Sequence, residues 1–138
     1  MAVEQTLILA KPDAVRRSLA GEIVARFERR GFTLRAARLL VVDRALAEEH
    51  YAEHSAKPFF GELVEFITSG PTLAFVLEGE GVIATARTTI GATNPAAAEP
   101  GSLRGDFASA MPDNLVHGSD SAETASAEVS LWFGDELA

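Results

Sequence analysis

Histidine is the side chain best suited to catalysis near neutral pH, and this sequence contains three. His117 ends a short apolar segment, residues 115–117, and is followed by Gly118 and Ser119. Glycine lets the backbone approach a ligand closely, and the free N–H groups at the start of a helix attract anions. We therefore predict that His117 is a neutral, nucleophilic imidazole. A structural histidine at a strand end is the competing interpretation.

Glu128 is the second candidate, because it lies at the edge of the apolar face of the last predicted helix. Its neighbours on that face are Ala125 and Trp132. A carboxylate that is half-buried there needs a partner, and either Ser119 or His117 could supply one. The alternative is a glutamate at the rim of the helix, exposed to water.

The positively charged side chains are crowded into the first third of the chain, so the few that lie elsewhere are candidates for binding an anion. After Arg44 only Lys57, Arg87 and Arg104 remain. Lys11 follows the first predicted strand and could reach into a cleft above a sheet. Neither GxxxxGK[ST] nor GxGxxG occurs, so a phosphate site would have to be built from side chains. Each cation could instead be an ordinary solvent-facing residue.

A metal site is an alternative use of two of the histidines. His50 and His54 are four residues apart on one predicted helix and could both reach one ion. No acidic residue completes an HExxH motif, and no third ligand is evident. Tyr51 shares the helix face of His54, so that pair could face a pocket instead. The chain has no cysteine, which excludes disulfides and thiolate zinc sites.

Length and composition indicate a single domain over residues 1–138, with 47% hydrophobic and 23% charged residues. The net charge of −8 argues against nucleic acid as a stable partner. No apolar run approaches the roughly 20 residues that span a bilayer. The first residues contain no basic patch before an apolar stretch, so we expect no secretory signal. We therefore expect a cytoplasmic protein without a membrane partner.

The hydrophobic pattern predicts four strands, at residues 6–10, 32–42, 72–78 and 115–117. Helices are predicted at residues 20–30, 44–54, 59–68 and 82–90, with a further helix at the C-terminus. The alternation slips near Ala36 to Arg38, which indicates a bulge. Residues 91–113 are predicted to be a long ordered loop, because proline and glycine are mixed there with large apolar side chains.

The last helix is predicted to begin at an Asp120 cap, with Glu123 as its capping-box partner. Its buried face would consist of Ala122, Ala125, Val129, Trp132 and Phe133. Four strands separated by helices predict an α+β fold with one antiparallel sheet covered by helices on one face. The ferredoxin-like split βαβ arrangement is the simplest topology of this kind.

Five segments resemble motifs of the nucleoside diphosphate kinase family, and they occur along the chain in the same order as in the family. The longest, residues 114–121 (NLVHGSDS), resembles the family signature around a phosphorylated histidine. The other four segments are residues 11–15 (KPDAV), 54–60, 91–95 and 104–107. The resemblance extends over residues 4–133. A single motif of this kind would be weak evidence, whereas five in order with matching spacing are specific.

The resemblance implies a role for each matching residue. His117 matches the nucleophile that carries the phosphate, and Tyr51 matches a phenol that supports the lysine. His54 matches a residue near the α-phosphate. The residues that hold the β- and γ-phosphates are matched by Lys11, Arg87, Thr93 and Arg104.

The remaining matches concern the nucleoside and the orientation of the histidine. Phe59 matches the ring that stacks on the base, and Met111 stands where the family usually has a valine against the other base face. Asn114 matches the ligand of the ribose hydroxyl. Ser119 and Glu128 match the residues that orient the histidine.

By resemblance, the chain would transfer the γ-phosphate of a nucleoside triphosphate to a nucleoside diphosphate by a ping-pong mechanism, with broad base tolerance. It would use Mg²⁺ held mainly by the nucleotide phosphates, without protein ligands. It would form a homo-oligomer built from dimers, either a hexamer or a tetramer. A non-catalytic nucleotide-binding module, and a structural or metal-binding protein that uses His50 and His54, are the alternatives.

Overall fold

The computed structural model describes residues 2–134 and is organised around a four-stranded antiparallel sheet. The strands are β1 (Val3–Ala10), β2 (Thr33–Val41), β3 (Pro71–Glu80) and β4 (Val116–Gly118). Their order in the sheet is β2-β3-β1-β4. This order is that of the split βαβ arrangement. The predicted α+β class and antiparallel sheet are therefore confirmed.

Within the described part of the chain, seven α-helices connect or follow the strands. They are α1 (Pro12–Arg16), α2 (Ala20–Arg29), α3 (Arg44–His50), α4 (Phe60–Ile67), α5 (Val82–Ile90), α6 (Leu103–Phe107) and α7 (Ala122–Phe133). Two short 3₁₀ helices cover Ala52–His54 and Pro95–Ala97. Within residues 2–134, no helix combines the length and the apolar composition needed to cross a bilayer.

Helices cover both faces of the sheet, so the prediction of one covered face was wrong. Ile8 of β1 and Phe75 of β3 pack in one cluster with α2 and α5. Leu7 and Leu9 pack on the opposite face in a second cluster with α3, α4 and α7. The reason lies in the continuous apolar run of β1, because neighbouring strand residues point to opposite faces and both must be buried.

Two short helices were not predicted. Helix α1 begins at Pro12, which is tolerated in the first turn because its missing N–H needs no partner there. Helix α6 lies inside the predicted loop, and the Ser102 side chain caps it by accepting a hydrogen bond from the Gly105 N–H at 3.0 Å. Both helices involve candidate site residues, because Lys11 directly precedes α1 and Arg104 lies within α6.

Several predicted boundaries also require correction. Helix α3 ends at His50, so His50 and His54 do not share one helix. The N-cap of α7 is Ser121 rather than Asp120, and its hydroxyl accepts from the Thr124 N–H at 3.1 Å. Glu123 is therefore not the box partner that was predicted. The first residue of α7, Ala122, is exposed, whereas it was predicted to be buried.

Strand β2 forms an edge of the sheet, and its register against β3 shifts between Leu34 and Ala36. The predicted bulge is therefore present, but slightly earlier in the strand than expected. Most of this strand is exposed, including Leu39 at 65% and Val41 at 63%. An apolar edge strand of this kind has unpaired backbone groups available to another chain.

Candidate active site

One cleft of about 930 Å³ brings together side chains from distant parts of the chain. The predicted site residues that line it are Lys11, Tyr51, His54, Phe59, Arg87, Thr93, Arg104, Met111, Asn114 and His117. Ser119 and Glu128 do not line the cleft. They contact His117 or each other behind it. Lys11, Arg87 and Arg104 therefore converge on the same cavity as His117, whereas Lys57 does not line it.

The imidazole of His117 is held by α7. Strand β4 pairs with β1 so that His117 lies opposite Leu9. The Nε2 atom of His117 lies 2.9 Å from Oε1 of Glu128, which also accepts a hydrogen bond from the Ser119 hydroxyl at 2.7 Å. No hydrogen bond within the described residues engages Nδ1 of His117. The second ring nitrogen is therefore available to a substrate in the cleft.

Glu128 is suited to orient a neutral imidazole because it remains ionised. Burial opposes ionisation, but the hydrogen bonds from His117 and Ser119 hold the pKa of Glu128 below its ordinary value. The carboxylate then accepts a hydrogen bond from the Nε2–H group of His117, which fixes the ring tautomer. Ser119 is itself fully buried, and its hydroxyl accepts from the Leu7 N–H at 3.2 Å.

His50 belongs to the same network, although the sequence offered it only as a metal ligand. Its side chain is 1% exposed, and its Nδ1 accepts a hydrogen bond from the Trp132 indole at 3.1 Å. Its ring stands edge-on to that of His117, with 4.8 Å between the centroids. Burial, followed by the nearby His117, lowers the pKa of His50 to about 3. His50 is therefore a neutral packing partner of His117.

The ligand atoms of His50, His117 and Glu128 lie within 4.8 Å of one another, which is a spacing that a metal ion could bridge. The atoms that face one another are already hydrogen-bonded, however, because Oε1 of Glu128 accepts two hydrogen bonds and Nδ1 of His50 accepts one. His54 is not part of this cluster. The geometry within the described residues favours a hydrogen-bonded network over a metal site.

Lys11 is a buried cation at the floor of the cleft. Its exposed fraction is only 9%, and its ammonium donates a hydrogen bond to Oδ1 of Asn114. It also lies 5.3 Å from the centroid of the Phe66 ring, which is a cation–π distance. Burial lowers the pKa of Lys11 to about 8, and Asp13 partly opposes this shift. Tyr51 lines the same cleft, but no hydrogen bond joins it to Lys11 within the described residues.

Arg104 is more fully enclosed than a surface arginine. Its guanidinium donates to the carbonyls of Asn114 at 3.1 Å, Gly91 at 3.0 Å and Val116 at 2.6 Å. Burial and the neighbouring Arg87 lower the pKa of Arg104 to about 10, so it stays charged at neutral pH. These carbonyls hold the planar group in one orientation at the wall of the cleft.

Among residues 2–134, Arg87 makes one side-chain hydrogen bond, from Nη1 to the Gly118 carbonyl at 3.1 Å. This bond places its guanidinium beside the residue that follows His117. Since the charge of Arg87 lowers the pKa of Arg104, the two guanidinium groups create positive potential in the same part of the cleft. An anion bound there would relieve their repulsion.

The outer part of the cleft offers apolar surface. Phe59 is 43% exposed and Met111 is 52% exposed, and both line the cleft. The ring of His54 lies 5.6 Å from that of Phe59. Asn114 is fixed between the two regions, because its amide donates to the Thr93 carbonyl at 2.9 Å and to the Met111 sulfur at 3.5 Å.

The family model for nucleoside diphosphate kinase matches residues 4–137. The chain belongs to the nucleoside diphosphate kinase family. The resemblance inferred from five motifs is thereby confirmed over nearly the whole chain.

Relatives within the nucleoside diphosphate kinase family are similar over nearly their full length. The chain is 57% identical over 133 residues to nucleoside diphosphate kinase 1 of Spinacia oleracea, covering 96% of this chain and 90% of that protein. It is 59% identical over 132 residues to nucleoside diphosphate kinase of Rubrobacter xylanophilus, covering 96% and 99%.

Solved structures of family members share the fold. Nucleoside diphosphate kinase from Encephalitozoon cuniculi, in an apo form, has a TM-score of 0.95 at 42% identity, covering 98% of this chain and 92% of that one. A halophilic nucleoside diphosphate kinase from Halobacterium salinarum, solved in complex with CDP, has a TM-score of 0.95 at 43% identity, covering 98% and 90%.

Proposed function

We propose that this chain transfers the γ-phosphate of a nucleoside triphosphate to a nucleoside diphosphate through a phosphohistidine at His117. The observation that carries the proposal is the convergence of Lys11, Arg87 and Arg104 on one cleft with His117, whose Nε2 is already bound to Glu128. A nucleophile and the cations for its phosphoryl substrate are thus in one place. Family membership supports the same activity.

In the first half-reaction, Nδ1 of His117 attacks the γ-phosphorus of the triphosphate. An N–P bond forms, the bond from the γ-phosphorus to the bridging oxygen breaks, and the nucleoside diphosphate leaves with that oxygen. The ring becomes cationic as it is phosphorylated, and the Glu128 carboxylate at Nε2 stabilises this charge. In the second half-reaction an acceptor diphosphate attacks the phosphorus and restores the free imidazole.

Phosphoryl transfer depends mainly on positioning and on neutralising negative charge. Arg104 is held by backbone carbonyls and Lys11 by Asn114, so both cations are in place before the nucleotide binds. Such preorganised charges do not have to reorient during the reaction. Arg87 and Thr93 line the same cavity and complete the proposed phosphate site.

The apolar rim of the cleft is the proposed site of the base. Phe59 offers an exposed ring for stacking, and Met111 is proposed to contact the other face. Stacking accepts any base, since every base has a π-face. The CDP complex of the Halobacterium salinarum relative supports a nucleotide in this fold. Asn114 is proposed to bind the ribose hydroxyl, with His54 near the α-phosphate.

A divalent cation accompanies the nucleotide in this family, and we propose magnesium. The acidic side chains that line the cleft are Glu62 and Glu65, and the rest of the lining is cationic, neutral or apolar. Such a donor set fits an ion that is held by phosphate oxygens rather than by a carboxylate cage. When bound, the ion supplies further neutralisation of the phosphate charge.

The test is incubation of the full chain with ATP labelled at the γ-phosphate, followed by a panel of nucleoside diphosphates. We expect one phosphate on the His117 peptide, assigned to Nδ1 by ³¹P NMR under conditions that preserve phosphoramidates, and label transfer to every diphosphate. His117→Gln is the control and should still bind nucleotide. An unmodified His117 peptide in an enzyme that still transfers label would reject the phosphohistidine.

The chain is also proposed to act as one domain and to assemble into dimers, which associate further into tetramers or hexamers. The exposed apolar edge strand β2 supports this assembly, because a second copy could extend the sheet there. A cytoplasmic location remains a prediction of the cysteine-free sequence.

A further inference from the structure

Asp13 is a buried carboxylate to which the proposed mechanism assigns no role. It lies in α1 with an exposed fraction of 4%. Its Oδ2 accepts a hydrogen bond at 2.9 Å from the N–H of Leu115, which is 102 residues away in sequence. Its Oδ1 is also buried and has no hydrogen-bonding partner among residues 2–134. A carboxylate removed from water in this way requires a specific reason.

The partner of Asp13 has an unusual backbone conformation. Leu115 has a φ of +69°, and Ser18 is the only other non-glycine residue with a positive φ within the described part of the chain. Left-handed backbone is unfavourable for a leucine, and it persists only where the surroundings impose it. Leu115 is held on both sides, because its carbonyl accepts from the Lys11 N–H at 2.9 Å.

The turn at Leu115 carries the residues that face the cleft. The Val116 N–H donates to the Asn114 carbonyl at 2.8 Å, which closes a tight turn around Leu115. Strand β4 begins at Val116, so His117 follows directly. Arg104 donates to the carbonyls on both sides of the turn, those of Asn114 and Val116. The turn therefore sets the relative positions of these side chains.

The charge of Asp13 also matters, because two cations lie close to it. Burial lowers the pKa of both Lys11 and Arg104, and the Asp13 carboxylate raises the pKa of each. A negative charge beneath these groups therefore helps to keep them protonated in a desolvated site.

We propose that Asp13 is a positioning residue for phosphate transfer: it fixes the Leu115 turn and provides a counter-charge beneath Lys11 and Arg104. The inference rests on the proposed function of the same cleft. Asp13 is not proposed to touch the nucleotide. It acts through the groups that do.

Other charged groups around Lys11 must be considered in any test that varies pH. They come from α1, α3, α4, α5, α6, β4 and the segments that connect them. Those that influence Lys11 or share its cleft are Asp13, His50, Tyr51, His54, Glu62, Glu65, Arg87, Arg104, Asp113 and His117.

The experiment compares two variants of the full chain with a matched control. Asp13→Ala removes both the acceptor and the charge. Asp13→Asn keeps the shape and one acceptor oxygen but removes the charge. Ile23→Ala is the control, because Ile23 is a buried residue of α2 that does not line the cleft. The readouts are kcat/KM on both sides of the Lys11 pKa, and hydrogen exchange at the Leu115 amide.

We expect Asp13→Ala to lower kcat/KM by about 10²-fold, which is the scale of a misplaced reacting group. The Leu115 amide should lose its protection. Asp13→Asn should retain that protection, but the alkaline fall of kcat/KM should move to lower pH, because Lys11 has lost its counter-charge. Ile23→Ala should lower the free energy of unfolding and leave both the profile and kcat/KM unchanged.

The proposal is overturned if Asp13→Asn shows wild-type kcat/KM and an unshifted alkaline limb. It is equally overturned if Asp13→Ala folds and is as active as Ile23→Ala. If Asp13→Ala does not fold, the dependence of kcat/KM on pH in Asp13→Asn decides between support and rejection of the proposal. Failure of the wild-type chain to phosphorylate His117 would refute the proposed function instead, so the two ideas fail by different observations.

Discussion

The Nε2 atom of His117 lies 2.9 Å from Oε1 of Glu128, and the Ser119 hydroxyl donates to that same oxygen at 2.7 Å. One carboxylate oxygen therefore orients the imidazole and is itself oriented by a buried hydroxyl. This arrangement places the proton of the neutral imidazole on Nε2, which donates it in a hydrogen bond to Glu128, and leaves Nδ1 free in the cleft. The ring is prepared for nucleophilic attack before any substrate is bound.

Glu128→Gln should lower kcat while the dissociation constant for nucleotide changes little. The amide can still contact the ring, but it cannot stabilise the cationic phosphohistidine. Loss of a hydrogen bond to a charged group corresponds to about 10–100-fold in rate. Single-turnover phosphorylation by ATP would measure this directly. Ser126→Ala, at an exposed position of α7, is the matched control and should keep the wild-type rate. A wild-type rate in Glu128→Gln would contradict the role of the carboxylate.

Arg104→Ala should lower kcat by about 10²-fold or more, which is the scale for a lost transition-state charge donor. It should also lower the free energy of unfolding, because three backbone carbonyls lose their donor. Arg104→Lys keeps the charge, but its compact ammonium lacks the planar fork that reaches all three carbonyls, so it should remain destabilised. Kinetics and urea titration of both variants would separate the two effects. A normal kcat in Arg104→Ala would refute its place in the phosphate site.

The value of kcat/KM should fall as the pH rises through about 8, because burial lowers the pKa of Lys11 to that value. Lysine is charged below its pKa, so the cation that neutralises the phosphate is lost on the alkaline side. Bound phosphate favours the charged form, and the fall of kcat itself should therefore occur at higher pH. In Lys11→Arg the alkaline limb should disappear. If the alkaline fall of kcat/KM is unchanged in Lys11→Arg, a group other than Lys11 is responsible for it.

Acid should destabilise the fold partly through His50. Its pKa in the folded chain is lowered from 6.5 to about 3, so the unfolded chain takes up the proton first. Stability is therefore lost as the pH falls below 6.5, by roughly 2 kcal/mol at about pH 5. His50→Gln removes this pH-dependent loss of the free energy of unfolding, because glutamine does not titrate. Urea titrations at two pH values should show a smaller acid loss in the variant, and equal losses would contradict this assignment.

Leu39→Lys should weaken assembly, because it places a charge on the exposed face of edge strand β2. The mass in solution, measured by light scattering at several concentrations, should fall towards that of a single chain. Val3→Lys is the control, since Val3 is equally exposed at 65% but lies on β1. If Leu39→Lys retains the wild-type mass, the β2 edge is not the interface.

The sequence was informative about the elements and less so about their layers. The central strands and helices α2, α4 and α5 follow from hydrophobic periodicity, which is a local property. The number of covered faces does not follow from this periodicity, because Leu7 and Ile8 point to opposite sides only once β1 is inside a sheet. Short helices such as α1 and α6 depend on a single proline or capping residue at their start. Helix propensity summed over only five residues is too weak to predict them.

Ten of the residues that line the cleft were predicted from the sequence through its resemblance to the family, whereas others such as Glu62 and Phe66 were not. His50 was recognised only as one of a metal pair, because its partner Trp132 is 82 residues away. Asp13 was seen only as part of a motif, for the same reason. No local signal could show that its carboxylate meets the Leu115 amide.

The amino-acid sequence by itself determined which residue types are available for phosphate transfer, the family to which the chain belongs and the class of its fold. The tertiary structure decided which nitrogen of His117 is free, which cations stay charged and what holds the strained turn beside them. These properties depend on hydrogen bonds and burial between residues distant along the chain, and they exist only after β1, β4 and α7 have packed together.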